Sequence, residues 1–535
     1  MSGVVRSVVL IGMPGAGKSV VGRAVAARLG WPFVDTDDLV VQRAGRPVTA
    51  IFQEQGEGAF RRLERLAVRR AAAAHPAVIG TGGGVVLDEG NLEALRRRGL
   101  LIWLQAPPEV LLSRLGPGAA DRPLLAADPP GRLEALLRAR AARYAEADIT
   151  LDGTRPVDEV AEEIVGLVLQ RAAATVPVSL PGGGYPVRIG AGLLDLLGAE
   201  VRRRVAPSRI VLLTHGRLWR RFGARAARAL AAVGLPPLRV TVPEGERAKS
   251  LRAAAGVIDR MAAAEVDRRA ALVALGGGVV GDLGGFVAGV YMRGITLVHV
   301  PTTLLAQVDS AIGGKAAVNH PRAKNLVGVF HQPAVVVADV ETLRPLPERE
   351  LRSGLAEVVK YGMACDAALA DWVEAHLPAV LARDAAVLAD LVARCAAVKA
   401  RVVAADEREA GPRRVLNYGH TVGHALERLD GRLTHGEAVA LGMCVEAEVS
   451  RRLGLLAGEA VERQATLLAR AGLPTRLPAD APDAGALLAT MRLDKKTAAG
   501  ALRLVLLKEV GQGVIDQVVP EALVREALGA CRASS

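Results

Sequence analysis

The 535-residue chain exceeds one ordinary domain, so two or three are expected, and 51% apolar content is ample for their cores. Its net charge of +12 raises a nucleic-acid partner, but the arginines are interleaved with acids and alanines and only 3% of residues are aromatic, so none is expected. Four scattered cysteines with no C-x-x-C pair, no signal-peptide pattern in MSGVVRSVVLIG, and an apolar stretch interrupted by Asp282 lead us to expect a cytoplasmic protein with no membrane span.

The first predicted elements are a β-branched run, a glycine loop and an amphipathic helix, RSVVLIGMPGAGKSVVGRAVAARLG. The loop Gly12–Ser19 fits G-x-x-x-x-G-K-[ST] between a strand and a helix, the context that motif requires. Its N–H groups and the helix N-terminus suit phosphates, Lys18 reaches the β/γ-phosphates, and Ser19 can ligate Mg²⁺. The next strand, PFVDTDD, ends in Asp35 and Asp37. Such carboxylates bind metal, accept a hydroxyl proton, or cap a helix. FRRLE (60–64), TGGG (81–84) and DRPLL (121–125) follow, and an Arg in the last stretch can serve as a lid on phosphate.

With RARAARY at 138–144, this ordered set resembles shikimate kinase over nearly all of residues 1–172. The resemblance implies ATP with Mg²⁺, bound by Gly15, Ala16, Gly17, Lys18, Ser19, Val20 and Arg122, with Ser19 on the Mg²⁺. It implies shikimate held by Asp37, Arg61, Gly83 and Arg140, the two arginines clamping a carboxylate. Lys18, Asp37 and the lid residue Arg122 would be catalytic. For each arginine, an ordinary solvated helix position is the competing reading.

Residues 155–171 read as a terminal amphipathic helix, and AAATVPVSLPGGGYPVRIG as a short linker into a hairpin, with the boundary near 172–176. Beyond it, RIVLLTH, LRVTVPEGE, RRAALVALGGG and ITLVHVPTT alternate with helical stretches. That pattern predicts a parallel sheet with a nucleotide crevice at its strand ends. GGGVVGD is only a weak dinucleotide signal. After about residue 345 strands become few and helical periods dominate. The fold class expected is therefore α/β, with a mostly helical last part. A P-loop kinase at 1–172 precedes a Rossmann-like half at 176–345 and a mostly helical half at 346–535.

Three of the nine histidines, His420, His424 and His435, crowd into LNYGHTVGHALERLDGRLTHGE. His420 and His424 share a helix face at metal-ligand spacing, though no Glu follows the first His as a metalloprotease would need. One of the three can instead be an acid/base group beside a metal. The chain has nine lysines against 59 arginines, so a surviving Lys marks a place suited to a compact ammonium. Lys315, Lys324, Lys360, Lys399, Lys495 and Lys496 suggest an anionic substrate.

PEGERAKS, GGGVVGDLGGFVAGVYMRG, PTTLLAQVDSAIGGKAAVNHPRAKNLVG, GLAEVVKYG, DEREAGPRRVLNYGHTVGHALE, THGEAVALGM and LDKK together resemble 3-dehydroquinate synthase. The resemblance implies Zn²⁺ or Co²⁺ on Glu357, His420 and His435, with His424 a proton-transfer or hydrogen-bonding partner. NAD would be held by Glu246, Lys249, Gly277, Gly278, Asp282, Thr302, Thr303, Asp309, Lys315 and Lys324. Substrate phosphate and carboxylate would meet Arg293, Lys315, Asn325, Lys360, Lys399, Arg413, Asn417 and Lys496 (or Lys495), with Lys315, Lys360 and Arg413 also catalytic. The reaction implied converts 3-deoxy-D-arabino-heptulosonate 7-phosphate to 3-dehydroquinate and phosphate. A homodimer through this domain, acting on small molecules, is implied as well. LLTHGRLW departs from the family pattern near the cofactor ribose, and Arg217 there can admit a 2′-phosphate. The competing enzyme reading is a generic P-loop kinase fused to a metal-dependent NAD alcohol dehydrogenase.

Overall fold

The computed structural model describes residues 7–97, 99–119, 122–126, 128–493 and 502–533. The chain divides into two compact units. One comprises Met1–Ala173, Asp195–Arg203 and Arg225–Pro236; the other comprises Ala174–Leu194, Arg204–Ala224 and Pro237–Ser535.

In the first unit β1 (Ser7–Ile11), β2 (Phe33–Asp35), β3 (Ala77–Gly80), β4 (Gly99–Gln105) and β5 (Ile149–Asp152) form a parallel sheet ordered β2-β3-β1-β4-β5. Central β1 reads SVVLI and is buried at every position, the continuous apolar run of a strand covered on both faces. Helices α1 (Lys18–Leu29), α2 (Thr36–Ala44), α3 (Val48–Ala73) and α4 (Pro129–Tyr144) alternate with the strands. α1 follows β1 through the loop at residues 12–17 and α2 follows β2 directly, so both helices start at the carboxyl edge of the parallel sheet.

The second unit holds a seven-stranded sheet built from β6 (Ala174–Val178), β7 (Tyr185–Gly190), β8 (Ile210–His215), β9 (Pro237–Val242), β10 (Ala271–Gly276), β11 (Thr296–Pro301) and β14 (Val335–Asp339). Its order is β6-β7-β14-β11-β10-β8-β9, parallel except for the β6–β7 hairpin. The chain runs outward from β8 to β9 and then returns to the other side of β8 for β10. This reversal places a crevice at the carboxyl ends of β8 and β10, the switch point where such sheets take ligands. Helix α5 (Gly278–Val290) leaves β10 there. Its Gly284 lies so close to the sheet that a Cβ would meet the Ala274 Cβ at 2.8 Å.

Between β11 and β14 a hairpin, β12 (Lys315–His320) with β13 (Ala323–Phe330), interrupts the alternation. The helical half follows, with α6 (Glu348–Cys365), α7 (Ala385–Ala405), α8 (His420–Leu429) and α9 (His435–Arg452) among its helices. α9 is buried nearly all round, the pattern of a central helix. A last hairpin, β15 (Leu502–Glu509) with β16 (Gln512–Val519), packs its apolar face into the same core as α8 and α9. Among the described residues no helix is long and apolar enough to cross a membrane.

Candidate active sites

The loop after β1 turns back on itself through Gly15 and Gly17, at φ of +84° and +88°. Gly17 is the left-handed N-cap of α1, a conformation that costs a Cβ-bearing residue about 1 kcal/mol or more. Lys18 Nζ donates to the carbonyls of Gly12 and Met13, both at 2.9 Å, so the ammonium closes the loop from inside. Burial pulls it down to about 8 against the opposing charges of Asp37 and Asp35. Ser19 Oγ donates to Asp35 Oδ2 at 2.9 Å, and Asp35 Oδ1 accepts the Asp37 amide at 3.0 Å. Asp35 is thus the helix cap, which leaves the Asp37 carboxylate free of that duty. Asp37 Oδ1 is buried with no hydrogen-bond partner among the described residues. Burial, reinforced by Asp35, pushes its carboxyl up to about 6 despite Lys18 and Arg122.

Gly82–Gly84 follow β3 beside Asp37: a Cβ on Gly82 would meet Asp37 Oδ1 at 2.7 Å, and one on Gly84 would strike the Arg61 guanidinium. Arg140, buried on α4, donates to the Gly83 carbonyl at 2.9 Å. Arg61 donates to Glu57 and Glu64, each at 2.8 Å. Glu64 Oε1 and Arg140 Nε are also buried without partners. Asp37, Glu64 and Arg140 each keep one buried polar atom without a partner among the described residues, a set that suits a small polyhydroxy acid. Arg122 is exposed, yet its charge is felt by both Lys18 and Asp37. Glu64 went unnoticed in the sequence; its only signal was its place three residues after Arg61, one turn along the helix.

In the second unit, Gly277 is the N-cap of α5 and Gly278 its first residue; a Cβ on Gly277 would press the Thr303 methyl at 2.9 Å. Backbone and helix N-terminus therefore stand open to a pyrophosphate. Lys249 forms an ion pair with Asp282 on the same helix. Glu246 Oε1 accepts from Asn319 Nδ2 at 2.6 Å. Thr302 is buried, and Thr303 Oγ1 accepts the Ala306 amide at 3.2 Å. At the end of β8, His215 accepts the Leu218 amide at 3.5 Å, and Arg217 pairs with Glu244 at 3.5 Å in an exposed position.

Glu357, on α6, is fully buried. The Lys360 ammonium lies against its Oε2, while His420 Nε2 and His435 Nε2 each stand 3.4 Å from its Oε1. Neither oxygen is engaged in a properly directed hydrogen bond. One donor atom from each of Glu357, His420 and His435 lies within 4.8 Å of the others. Two imidazoles and a buried carboxylate at that spacing fit a Zn²⁺-like divalent ion with coordination positions left over. His424 stands next to this set, its ring 5.2 Å from that of His420. His420 and His435 meet because α8 and α9 cross at glycines: a Cβ on Gly442 would fall 1.9 Å from the Gly419 carbonyl oxygen.

Around the triad lies a set of unlike charges, buried at Lys360, Lys399 and Arg413 and exposed at Lys315 and Lys324. Burial raises Asp309, but Lys399 and Lys360 outweigh it and hold the carboxyl far below its usual range. Tyr361 OH donates to Asp309 at 2.6 Å, and Lys399 is its ion-pair partner. Arg413, buried, donates to the Gly313 carbonyl at 3.2 Å. Lys315 pairs with Glu409, which also accepts from Asn417 at 2.8 Å. Asn325, at φ +55°, donates its amide to Asn319 at 2.9 Å, and Lys324 donates to Glu427 at 2.8 Å.

Arg293 is not brought to this group. It lies exposed beyond the C-terminal end of α5, with no hydrogen bond or ion pair to these residues among the described ones. Lys495 and Lys496 lie outside the described residues. Glu409, Glu427, Asn319 and Tyr361 take part without having been singled out in the sequence.

Comparison with known proteins agrees with this geometry. The family models for the 3-dehydroquinate synthase N-terminal and C-terminal regions match residues 239–353 and 354–497. The 3-dehydroquinate synthase of Symbiobacterium thermophilum is 50% identical over 351 residues, 65% of this chain and 98% of that one. The chain belongs to the 3-dehydroquinate synthase family. The family model for shikimate kinase matches residues 14–168, so the synthase is fused to a shikimate kinase domain. The synthase of Azotobacter vinelandii is 45% identical over 66% of this chain and 96% of its own. Among solved structures, a 2-deoxy-scyllo-inosose synthase complexed with carbaglucose-6-phosphate, NAD⁺ and Co²⁺ is similar to the synthase portion. Its TM-score is 0.62 at 27% identity, over 66% of this chain and 99% of that one. A 2-epi-5-epi-valiolone synthase from Streptomyces hygroscopicus with NAD⁺ and Zn²⁺ bound gives 0.61 at 25% identity, over 66% of this chain and 98% of its own.

Proposed function

We propose that the chain is a cytoplasmic bifunctional enzyme of the shikimate pathway. Residues 1–172 phosphorylate shikimate to shikimate 3-phosphate with ATP. Residues 176–345, which bind NAD, and 346–535, which bind metal and substrate, convert 3-deoxy-D-arabino-heptulosonate 7-phosphate to 3-dehydroquinate and phosphate. The synthase portion assembles as a homodimer. The observation that carries the reading is the Glu357, His420 and His435 triad set among Lys360, Lys399 and Arg413. A metal beside several cations suits a phosphorylated carboxylate; a plain alcohol dehydrogenase has no use for the cations.

In the kinase, Asp37 accepts the proton of the attacking hydroxyl at its unpartnered Oδ1. Arg61 and Arg140 hold the substrate carboxylate. Lys18 and the loop amides hold phosphate, with Ser19 on Mg²⁺ and Arg122 closing over the transferred group. In the synthase, Glu246, Lys249, Gly277, Gly278, Asp282, Thr302, Thr303, Asp309, Lys315 and Lys324 hold the dinucleotide. Lys315, Asn325, Lys360, Lys399, Arg413 and Asn417 orient the substrate's phosphate and carboxylate. When bound, NAD supplies reversible oxidation of a ring hydroxyl, and the divalent ion supplies Lewis-acid polarisation of substrate oxygens. His424 holds or passes a proton at its imidazole nitrogen.

The test uses chelator-stripped protein with NAD, assayed for phosphate release from the heptulosonate phosphate before and after zinc is added. Zinc-dependent release is expected, and release from shikimate-free, ATP-free mixtures isolates the synthase. No release under either condition from folded protein overturns the synthase assignment; absence of shikimate-dependent ATP turnover overturns the kinase assignment.

A further inference from the structure

Every imidazole that ligates a metal through one nitrogen must carry its proton on the other, and something must fix that choice. His420 and His435 solve the problem differently. His420 Nδ1 lies 3.1 Å from the backbone carbonyl of Tyr418, a neutral local acceptor. His435 Nδ1 instead lies 3.3 Å from Glu427 Oε2, while its Nε2 is the nitrogen facing Glu357.

We infer that Glu427 is a positioning residue of the metal centre, accepting the Nδ1–H of His435 so that Nε2 is presented toward Glu357 and His420. This rests on the reading of those three residues as metal ligands.

Three features support it. Glu427 is seven residues after His420 on α8, about two turns along the same helix face. One helix thus carries a ligand and the group that aims the ligand at the start of α9. The other carboxylate oxygen of Glu427 accepts from Lys324 at 2.8 Å, so the carboxylate is held at both ends. The Lys324 ammonium on that second oxygen favours the ionised form of the carboxylate. A charged acceptor raises the basicity of the ligating nitrogen beyond what the Tyr418 carbonyl does for His420. Lys324 also belongs to the β12–β13 hairpin assigned to the dinucleotide, which makes Glu427 the shared neighbour of cofactor and metal groups.

The experiment measures zinc affinity by competition with a chromophoric chelator on metal-stripped full-length protein, together with the visible spectrum after Co²⁺ loading. Glu427→Ala is expected to weaken zinc binding on the order of 10- to 100-fold. Glu427→Gln, whose amide oxygen still accepts from Nδ1–H, is expected to fall between it and wild type. Both should shift the cobalt spectrum while thermal unfolding of the metal-free protein stays close to wild type. Wild-type zinc affinity and an unchanged cobalt spectrum in Glu427→Ala overturn the proposal while leaving the metal centre standing. Wild-type protein that binds no zinc, or binds it equally after His435→Ala, removes the metal centre itself and this inference with it.

Discussion

Replacing Gly442 by Ala tests whether the crossing of α8 and α9 builds the metal centre. The new Cβ would sit 1.9 Å from the Gly419 carbonyl oxygen and 2.9 Å from the Gly423 nitrogen, where ordinary contact begins at 3.4 Å. Both obstacles are backbone, so no side-chain rotation relieves them and the helices must part. Alanine favours a helix interior by about 1 kcal/mol over glycine. Overpacking a tight contact costs about 1–3 kcal/mol, and a rigid backbone obstacle belongs at the upper end. A net loss of about 1–2 kcal/mol in stability is expected. Gly419 immediately precedes His420 and caps its helix at φ +77°, so the displacement passes directly to a ligand. A donor moved by about 1 Å loosens a preorganised site, and zinc affinity should fall at least tenfold. The assay pairs thermal unfolding of metal-free protein with zinc competition. Gly256→Ala is the control: Gly256 is exposed in the helix Leu251–Ala263 with nothing within 4 Å, and this change should stabilise by up to about 1 kcal/mol. Wild-type stability together with wild-type zinc affinity in Gly442→Ala would refute the reasoning.

Other outcomes follow from the same geometry. The Asp37 carboxyl is raised to about 6 and must be ionised to accept a proton, so kcat/KM for shikimate should fall about tenfold per unit as pH drops below 6; a flat profile down to pH 5 contradicts the role. Asp37→Asn should abolish shikimate-dependent ATP turnover and leave zinc-dependent phosphate release intact, measured on one preparation. Lys399→Met leaves Asp309 with less compensation in a buried place and should cost about 3 kcal/mol in urea unfolding, less when combined with Asp309→Asn. Exhaustive chelation followed by return of Mg²⁺ alone should restore the kinase and not the synthase, read by the two separate assays.

Much of both sites was legible because its chemistry is local in sequence. The phosphate loop is eight contiguous residues whose backbone does the binding, so Gly12–Ser19 announces itself. The βα alternation reads directly because each strand is a buried apolar run. The β15–β16 hairpin and the β12–β13 excursion were harder. No residue of β13 is buried and only Val519 of β16 is, so neither strand is a buried apolar run, and the β12–β13 hairpin sits inside a stretch rich in Gly and small residues. The groups missed in the sites are three acids, an amide and a phenol: Glu64, Glu409, Glu427, Asn319 and Tyr361. Acids are abundant along this chain, and each of the five acts on partners set by tertiary packing, in most cases distant in sequence. Glu427 meets Lys324 across 103 positions and Asn319 meets Glu246 across 73.

The scarcity of lysine was informative for a reason the contacts now supply. Lys249, Lys315, Lys324, Lys360 and Lys399 each pair with one acid: Asp282, Glu409, Glu427, Glu357 and Asp309. Lys18 sits between two carbonyls within its own loop. These are point contacts, and Lys249, Lys360 and Lys399 make them in buried places. A guanidinium fork seeks two coplanar acceptors, as Arg225 finds on Asp195 and Arg463 on Glu374, mostly where solvent is near. Lys360 and Lys399 are buried beside Glu357 and Asp309, where a planar five-donor group would leave hydrogens without acceptors. In a chain that otherwise uses arginine, selection for a compact cation therefore leaves a mark at its sites, and residue scarcity serves as a functional signal where motif spacing alone does not reach.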